Sequence, residues 1–263
     1  MTLNAVIFKA PILKTRMYSG LIAVLACAVA MQAADKKDKP KATDKVVDSG
    51  SFGVFVKGQR VVTETFSVQQ VEGMSTVKSE LKEIGGSASA PGSGSGQSSD
   101  LQMTGSGELV HYSWSDGSGS LVVTPNNEFL LEKITTAASS KPAEQPFLMP
   151  NTSAILDNNF FIHREVLAWR YLASGCHSEG GNLKCQQEPA EFGVLVPQDR
   201  ASMRVRIELV GREKVIIHGA ERDLLRLNLK GEGFTWALWV DDKDKFKLVR
   251  VLIADDNTEV VRD

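Results

Sequence analysis

Residues 223–240 read DLLRLNLKGEGFTWALWV, and this stretch is the clearest indication of the fold. On each side of the Gly-Glu-Gly turn at 231–233, apolar and polar side chains alternate with a period of two. Two alternating segments joined by a short turn are typical of an antiparallel hairpin, with one face on the core and the other in water. The stretch therefore predicts two adjacent strands of a half-buried antiparallel sheet.

The same pattern continues in both directions along the chain. MRVRIELVG (203–211) precedes this hairpin, and LVRVLIAD (248–255) follows it. Near the beginning, GVFVKG (53–58), RVVTETFSVQQ (60–70) and STVKSELKEI (75–84) are separated by short turns. Strands joined by short turns are neighbours in a sheet. The sequence therefore predicts a mainly β fold, a long antiparallel meander that curls into an unclosed half β-barrel.

One segment has a helical pattern instead. FFIHREVLAWRYLAS (160–174) carries a wide apolar stripe, and Asp157 or Asn158 before it can accept hydrogen bonds from the first free N–H groups. We expect one α-helix at about 158–174, inserted into the meander. In this pattern Arg164 and Glu165 fall on the polar side of the helix, away from the buried stripe.

The amino-terminal segment predicts export. Basic residues precede an apolar run from Met17 to about Met31, and small residues then give way to lysines and aspartates. This order is typical of a secretory signal peptide, which we place at residues 1–33. The apolar run is shorter than the roughly 20 residues that span a bilayer, so we expect no transmembrane span in the mature chain. We expect a periplasmic or secreted protein, with an uncleaved anchor and lipidation at Cys27 as alternatives.

The rest of the chain consists of two parts that differ in composition. Residues 34–50 are charged and contain proline, which is typical of a flexible tether, and residues 51–263 are enough for a single β domain. Within this domain, the Gly/Ser-rich segment 85–99 predicts a flexible loop. The 30 basic residues nearly balance the 32 acidic residues, so the sequence lacks the basic footprint of a nucleic-acid-binding protein.

Two cysteines remain after the signal peptide, in CHSEGGNLKC (176–185). In an exported protein, Cys176 and Cys185 are expected to form a disulfide, and the glycines between them can turn the chain back. A zinc site would need further ligands, and a redox dithiol usually has two-residue spacing. Metal binding and redox chemistry are the less favoured alternatives.

No catalytic constellation is present in the sequence. The four histidines show no metal-ligand spacing, and no G-x-S-x-G stretch occurs. The aspartates at 241–244 lack the glycine and the distal glutamate of a calcium loop. We therefore predict no catalytic residue, no metal site and no cofactor, and a hydrolase whose site is too scattered to recognise is the least favoured hypothesis.

The predicted geometry raises the question of a ligand. About ten strands spaced roughly 4.8 Å apart make a sheet that one helix, about 10 Å across, cannot cover. Such a sheet curls, and its concave face is either filled by side chains or left as an apolar cavity of lipid size. The candidate liners of a cavity are Phe161, Trp169, Phe234 and Trp236.

Four segments carry a resemblance to a known family. They are VFVKGQRVVTETFSV (54–68), LDNNFFIHREVLAWRYL (156–172), REKVIIHGAERDLLRLNL (212–229) and FTWALWVDDKDKFKLVRVLI (234–253). In this order they resemble an exported family of domains of unknown function whose fold is similar to that of the Lol-type lipoprotein-localisation carriers. The resemblance implies an unclosed β-barrel whose concave face holds a helix and accepts an acyl chain. The Gly/Ser loop and the cysteine hairpin depart from the pattern, and no functional residue of the family can be carried over.

Two hypotheses follow. The first is a non-enzymatic envelope protein that binds or carries a lipid or another apolar small molecule in its curved sheet. The alternative is a structural or interaction module with a filled core, which binds an envelope protein partner through exposed edges or the Gly/Ser loop.

Overall fold

The computed structural model of this protein describes residues 45–84, 96–180, 182–186 and 188–263. The expected signal peptide, Cys27 and residues 34–44 of the expected tether lie outside these ranges, as do residues 85–95 of the expected Gly/Ser loop. The remainder of that loop segment enters a strand, because Gln97–Thr104 pairs with the strand before it.

The described residues contain seventeen strands, one α-helix and two 3₁₀ turns. The strands are β1 (Lys45–Val56), β2 (Gln59–Val71), β3 (Met74–Glu83), β4 (Gln97–Thr104), β5 (Leu109–Ser115), β6 (Gly119–Asn126), β7 (Phe129–Thr136), β8 (Ser139–Phe147), β9 (Ala154–Ile155), β10 (Cys176–Glu179), β11 (Asn182–Cys185), β12 (Ala190–Val196), β13 (Ala201–Ile217), β14 (Ala220–Gly231), β15 (Phe234–Asp241), β16 (Lys247–Ile253) and β17 (Thr258–Arg262). Helix α1 spans Ile162–Gly175, and the 3₁₀ turns are Pro197–Asp199 and Ala254–Asp256.

Fifteen of the strands form one sheet. Its order is β8-β7-β6-β5-β4-β3-β2-β1-β17-β16-β15-β14-β13-β12-β9. Every pair is antiparallel except β9 with β12, which pair in parallel over two residues. The sheet curves without closing into a barrel, so the predicted fold class is confirmed. Because β1 pairs with β17, both ends of the described chain lie at the centre of the sheet.

The main core lies on the concave face, against α1. The alternating apolar residues of the sheet point to this face, as the sequence predicts. In the hairpin of β14 and β15, the buried residues of this core are at most 4% exposed, and they include Leu225, Leu227, Leu229, Leu238 and Val240. Burial of a leucine side chain contributes about 2 kcal/mol. The apolar alternation of the strands therefore holds the helix and the sheet together.

Helix α1 is buried on almost every side. It starts at Ile162, later than the expected residue 158, because Asp157 holds the preceding residues in a turn by accepting from the backbone N–H of Asn159 at 2.7 Å. The expectation that Arg164 and Glu165 lie on an exposed face is wrong, since they are 1% and 0% exposed. The sheet wraps around the start of the helix, so even its polar side contacts strands.

The hairpin of β13 and β14 curls over the convex face. Gly211 lies at a bulge in β13 with φ of 148°, a conformation that side-chain-bearing residues rarely adopt. Beyond this bulge, Ile217 and Leu224 pack with Trp239 in a second, smaller core. The His218 ring bonds the Arg262 carbonyl oxygen of β17 over 2.8 Å. The strongly bent hairpin therefore buries apolar residues on the outer side of the sheet as well.

The ordered sheet begins earlier than expected. Strand β1 starts at Lys45, whereas the sequence places a tether up to residue 50. Asp48 gives the physical reason, because its side chain is buried and forms an ion pair with Arg262 of the neighbouring strand β17. A buried ion pair fixes this stretch of polar sequence on the sheet.

The cysteine segment forms a hairpin that directly follows α1. Strands β10 and β11 pair so that Cys176 lies opposite Cys185, and the two Sγ atoms are 2.13 Å apart. The disulfide that the sequence predicts is therefore formed by this pair. It closes a loop between the end of the helix and the strand β12 at the far side of the sheet.

Replacing both Cys176 and Cys185 by serine should lower the free energy of unfolding by about 2 to 3 kcal/mol, because the open chain gains entropy when it unfolds. Urea unfolding under non-reducing conditions measures this loss. A reductant should destabilise the wild type to the same extent and leave the double variant unchanged. Equal stability of wild type and variant would show that the disulfide does not constrain the unfolded chain.

Candidate functional site: a buried polar cluster at the start of the helix

The start of α1 is capped by a residue from a distant strand. The Glu64 carboxyl of β2 accepts the backbone N–H of Phe161 at 2.6 Å and that of Ile162 at 3.2 Å. The hydroxyl of Ser79 in β3 donates to the same carboxyl at 2.7 Å. An acidic group at a helix N-terminus satisfies free N–H groups and interacts favourably with the helix dipole. Glu64 therefore fixes the helix to the middle of the sheet.

Burial sets the protonation of this cap. Glu64 is 0% exposed, and loss of hydration raises its pKa to about 7, against the opposing effect of its hydrogen bonds and of the Arg164 charge. The carboxyl thus changes its charge near neutral pH while it remains enclosed by protein.

Asp157 organises the turn before the helix. Its side chain accepts from the backbone N–H of Asn159, and also from the Tyr112 hydroxyl of β5 and the Gln198 amide of the 3₁₀ turn. Burial and the adjacent Asp157 raise the pKa of Tyr112 well above its ordinary value, so this hydroxyl stays protonated as a donor. Three separate parts of the chain therefore meet at one carboxylate.

Arg164 is the largest of the fully buried side chains. Its guanidinium donates to the carbonyl oxygens of Asp157 and Phe160, the latter at 2.6 Å. The same group lies 4.8 Å from the centre of the Phe161 ring and 4.9 Å from that of Trp236. Burial lowers the pKa of Arg164 to about 10, which still leaves it charged at neutral pH. Backbone carbonyls and two aromatic faces thus replace its water.

His163 points toward a small cavity. Its Nδ1 accepts from the backbone N–H of Asp157 at 3.4 Å, whereas its Nε2 has no hydrogen-bond partner among the described residues. The cavity has a volume of about 10 Å³ and lies between α1 and the strands β4, β5 and β9. Burial lowers the pKa of His163 to about 4, so the ring is neutral at physiological pH. A cavity of this size accommodates about one water molecule.

Glu165 joins α1 to three central strands. It accepts the backbone N–H of Leu248 in β16 at 2.9 Å and the Arg262 guanidinium of β17 at 3.1 Å. Arg262 also pairs with Asp48 of β1, and the Lys247 ammonium lies 3.5 Å from Asp48. Burial and the nearby Asp48 raise the pKa of Glu165 well above its ordinary value. Two buried carboxyls therefore lie beside the helix, with Arg262 between them and the partly exposed Lys247 next to Asp48.

A third buried glutamate lies on strand β7. Glu132 of β7 is 0% exposed, and both of its carboxyl oxygens lack a hydrogen-bond partner among the described residues. Loss of hydration raises its pKa to about 7, and the Arg200 charge opposes this effect. Glu132 is thus a second group that titrates near neutrality inside the fold.

The four expected ligand-lining residues separate into two places. Phe161 and Trp236 enclose Arg164, and Phe234 packs against Trp236 at a tilted angle with ring centres 4.6 Å apart. Trp169 lies further along the helix, where its indole N–H donates to the Phe246 carbonyl oxygen at 3.0 Å. Phe161 is buried, whereas the other three are partly buried. Three of the four therefore gather at one end of the concave face.

Sequence reasoning missed the acidic residues of this cluster, although a signal was present. Glu64 falls in phase with Val62, Phe66 and Val68 in β2, so a charged residue occupies the apolar face of its strand. Glu132 falls in the same way between Leu130 and Ile134 in β7. An acid in phase with apolar neighbours predicts a buried carboxyl that needs a partner.

Chemically, the cluster combines hydrogen-bond acceptors, one neutral imidazole and paired charges, all removed from water. Within the described ranges, no three histidine, cysteine, aspartate or glutamate side chains come together as metal ligands would. The described part of the chain also holds no helix with the length and apolar character needed to cross a bilayer. The arrangement joins the helix to the sheet through buried polar contacts.

Comparison with known proteins gives no match, whether with family models, curated proteins or solved structures.

Proposed function

We propose that this chain is an exported, non-enzymatic protein that binds a lipid or another apolar molecule on the concave face of its sheet, with α1 as a displaceable cover. The observation that carries this proposal is the way in which α1 is held. His163 and Arg164 are consecutive and buried, and each has a ring or guanidinium nitrogen without a partner among the described residues, Nε2 of His163 and Nε of Arg164. Such an atom costs about 1 to 3 kcal/mol. These two atoms offset part of the stabilisation that the Glu64 and Glu165 contacts give to the docked helix.

The surface beneath the helix suits an apolar ligand. Strands from β1 to β7 and from β12 to β17 contribute buried aliphatic and aromatic side chains to one continuous core with α1. Ligand sites for small molecules usually occupy about 300 to 1,000 Å³. The cavity beside α1 is about 10 Å³, so a lipid has room only when the helix moves away from the sheet. The expected signal peptide and the Lol-type resemblance also support a lipid-binding role in the envelope.

Trp236 offers a test with a matched control on the same strand. Trp236 lies on the concave face near Arg164, whereas Trp239 lies on the convex face in the second core. Replacing Trp236 by alanine should weaken the binding of a phospholipid at least tenfold, because a loss of about 1.4 kcal/mol of contact energy corresponds to that factor. Replacing Trp239 by alanine should lower stability without a comparable change in affinity.

Native mass spectrometry of the protein purified from the envelope fraction measures the lipid affinity of the wild type and of both variants. The protein is incubated with phosphatidylethanolamine in detergent micelles, and the bound fraction is followed as lipid concentration rises. The wild type should carry one lipid that dissociates on activation. A bare protein mass at every lipid concentration contradicts the proposal. Equal affinity for both tryptophan variants would place the ligand elsewhere.

A second candidate function is that of an interaction module with a filled core. It is favoured by an open trough of about 400 Å³ on the convex face, across β3 to β6. The trough is rich in hydroxyl groups and includes Ser98, Ser113, Ser115 and Ser120. If no lipid binds, replacing Ser113 by tyrosine should fill the trough and abolish cross-linking to an envelope protein partner. Unchanged cross-linking would exclude this surface.

A further inference from the structure

When α1 is docked on the sheet, two carboxyls are enclosed, one from the sheet and one from the helix. Glu64 belongs to the sheet and receives the first N–H groups of the helix, whereas Glu165 belongs to the helix and receives an N–H group of β16. Both are 0% exposed. Strands β1 and β17 at the centre of the sheet lie between β2, which carries Glu64, and β16, which Glu165 contacts. Any movement that lifts the start of α1 therefore returns both carboxyls to water.

The groups that face these carboxyls are few. Glu64 is faced by Arg164 from α1 and by the Ser79 hydroxyl from β3. Glu165 is faced by Asp48 and Arg262, and Lys247 in turn faces Asp48. In each case burial outweighs the neighbouring positive charge, so the pKa of the carboxyl is raised in the docked state.

We propose that displacement of α1 is coupled to release of protons from Glu64 and Glu165, so that the open form becomes more populated as pH rises. This inference rests on the proposed function for its biological role, since the open form is the one that takes up an apolar ligand. Uptake would then be favoured in neutral or alkaline surroundings, and release would be favoured by acid.

The direction of this pH dependence follows from the protonation of the docked and open forms of α1. A carboxyl that holds its proton up to about pH 7 when docked, and only to about 4.5 when exposed, loses that proton on opening between these values. His163 acts in the opposite direction, because its pKa of about 4 when buried returns toward 6.5 in water and opening takes up a proton. This opposing effect fades above pH 6.5, where the carboxyls dominate.

Amide hydrogen exchange measures the opening without any ligand. The exchange of α1 amides at pH 6 and pH 8, corrected for the intrinsic rate, gives the opening constant of the helix. The amides of β14 and β15 give that of the whole fold in the same sample. The wild type should show a helix that opens more readily than these strands, with an opening constant that rises from pH 6 to pH 8.

Two variants separate the carboxyls that face the helix from other buried acids. Replacing Glu64 by glutamine should reduce the rise between pH 6 and pH 8 by about tenfold, because one titrating group is removed. Glu132→Gln is the matched control, since Glu132 is equally buried and titrates near 7, but forms no hydrogen bond with α1. This control should leave the rise in the opening of α1 unchanged.

Binding of N-phenyl-1-naphthylamine, an apolar probe that is uncharged between pH 6 and 8, tests the link to ligand uptake. Tighter binding at pH 8, reduced in Glu64→Gln, supports both proposals. If the opening of α1 depends on pH but no probe binds, proton coupling is supported and the proposed function is contradicted. Probe binding with the same opening constant at both pH values overturns proton coupling alone. Proton coupling is also overturned if the amides of α1 exchange only together with those of β14 and β15, because the helix then does not open by itself.

Discussion

Replacing Glu64 by alanine is expected to lower the free energy of unfolding by about 3 to 4 kcal/mol at pH 6. The change leaves the buried N–H groups of Phe161 and Ile162 without an acceptor, and each unsatisfied group costs about 1 to 3 kcal/mol. It also removes the partner of the Ser79 hydroxyl. Urea unfolding followed by far-UV circular dichroism measures the loss.

Two variants control this result. Glu80→Ala changes an exposed glutamate on the neighbouring strand β3, so its cost should stay below about 0.5 kcal/mol. Glu64→Gln keeps one acceptor oxygen and should cost less than Glu64→Ala. If Glu64→Ala proves as harmless as Glu80→Ala, water replaces the carboxyl at the start of α1, and the helix is not fixed by this contact.

The sheet was predictable because its signal is local and repeated. Residues 223–240 show the period of two that places Leu227 and Leu238 on one face, and the structure pairs these two residues directly. Turns of two or three residues leave little choice of neighbour. The pairing of β1 with β17 was not predictable in this way, because no short turn connects strands from opposite ends of the domain.

The polar cluster could be predicted only in part. Helical periodicity places Arg164 and Glu165 opposite the apolar stripe, but it carries no information on whether a sheet also covers that side. Their burial depends on the curvature of the whole sheet and on partners such as Arg262, which lies 97 residues from Glu165. The sequence identifies Phe161 and Trp236 as candidate liners, yet it places the cation that they enclose, Arg164, on the polar side of the helix.

The pH dependence of stability provides the second large effect. Glu64 and Glu132 have pKa values of about 7 in the fold, against about 4.5 for an exposed glutamate. Both therefore bind protons more tightly when folded, so their contribution is fully present below pH 4.5 and is lost as pH rises through 7. Each of these two glutamates should lower the free energy of unfolding by about 2 kcal/mol as pH rises from 5.5 to 8. Glu165 changes stability in the same direction.

His163 opposes part of this change. Its pKa of about 4 in the fold lies below the ordinary 6.5, so its contribution is complete above pH 6.5 and is lost as pH falls through 4. Because the two glutamates together outweigh one histidine, the wild type should lose about 3 kcal/mol of stability from pH 5.5 to pH 8. Urea unfolding at four pH values across this range measures the slope.

Two variants on the hairpin of β6 and β7 test whether buried carboxyls cause the loss of stability as pH rises. Glu132→Gln removes a buried carboxyl of β7 and should reduce the loss by about 2 kcal/mol. Glu128→Gln removes an exposed carboxyl from the turn just before the same strand and should leave the slope unchanged. A stability that stays level or rises up to pH 8 would mean that these carboxyls are ionised at little cost inside the fold. The docked helix would then hold no protons to release.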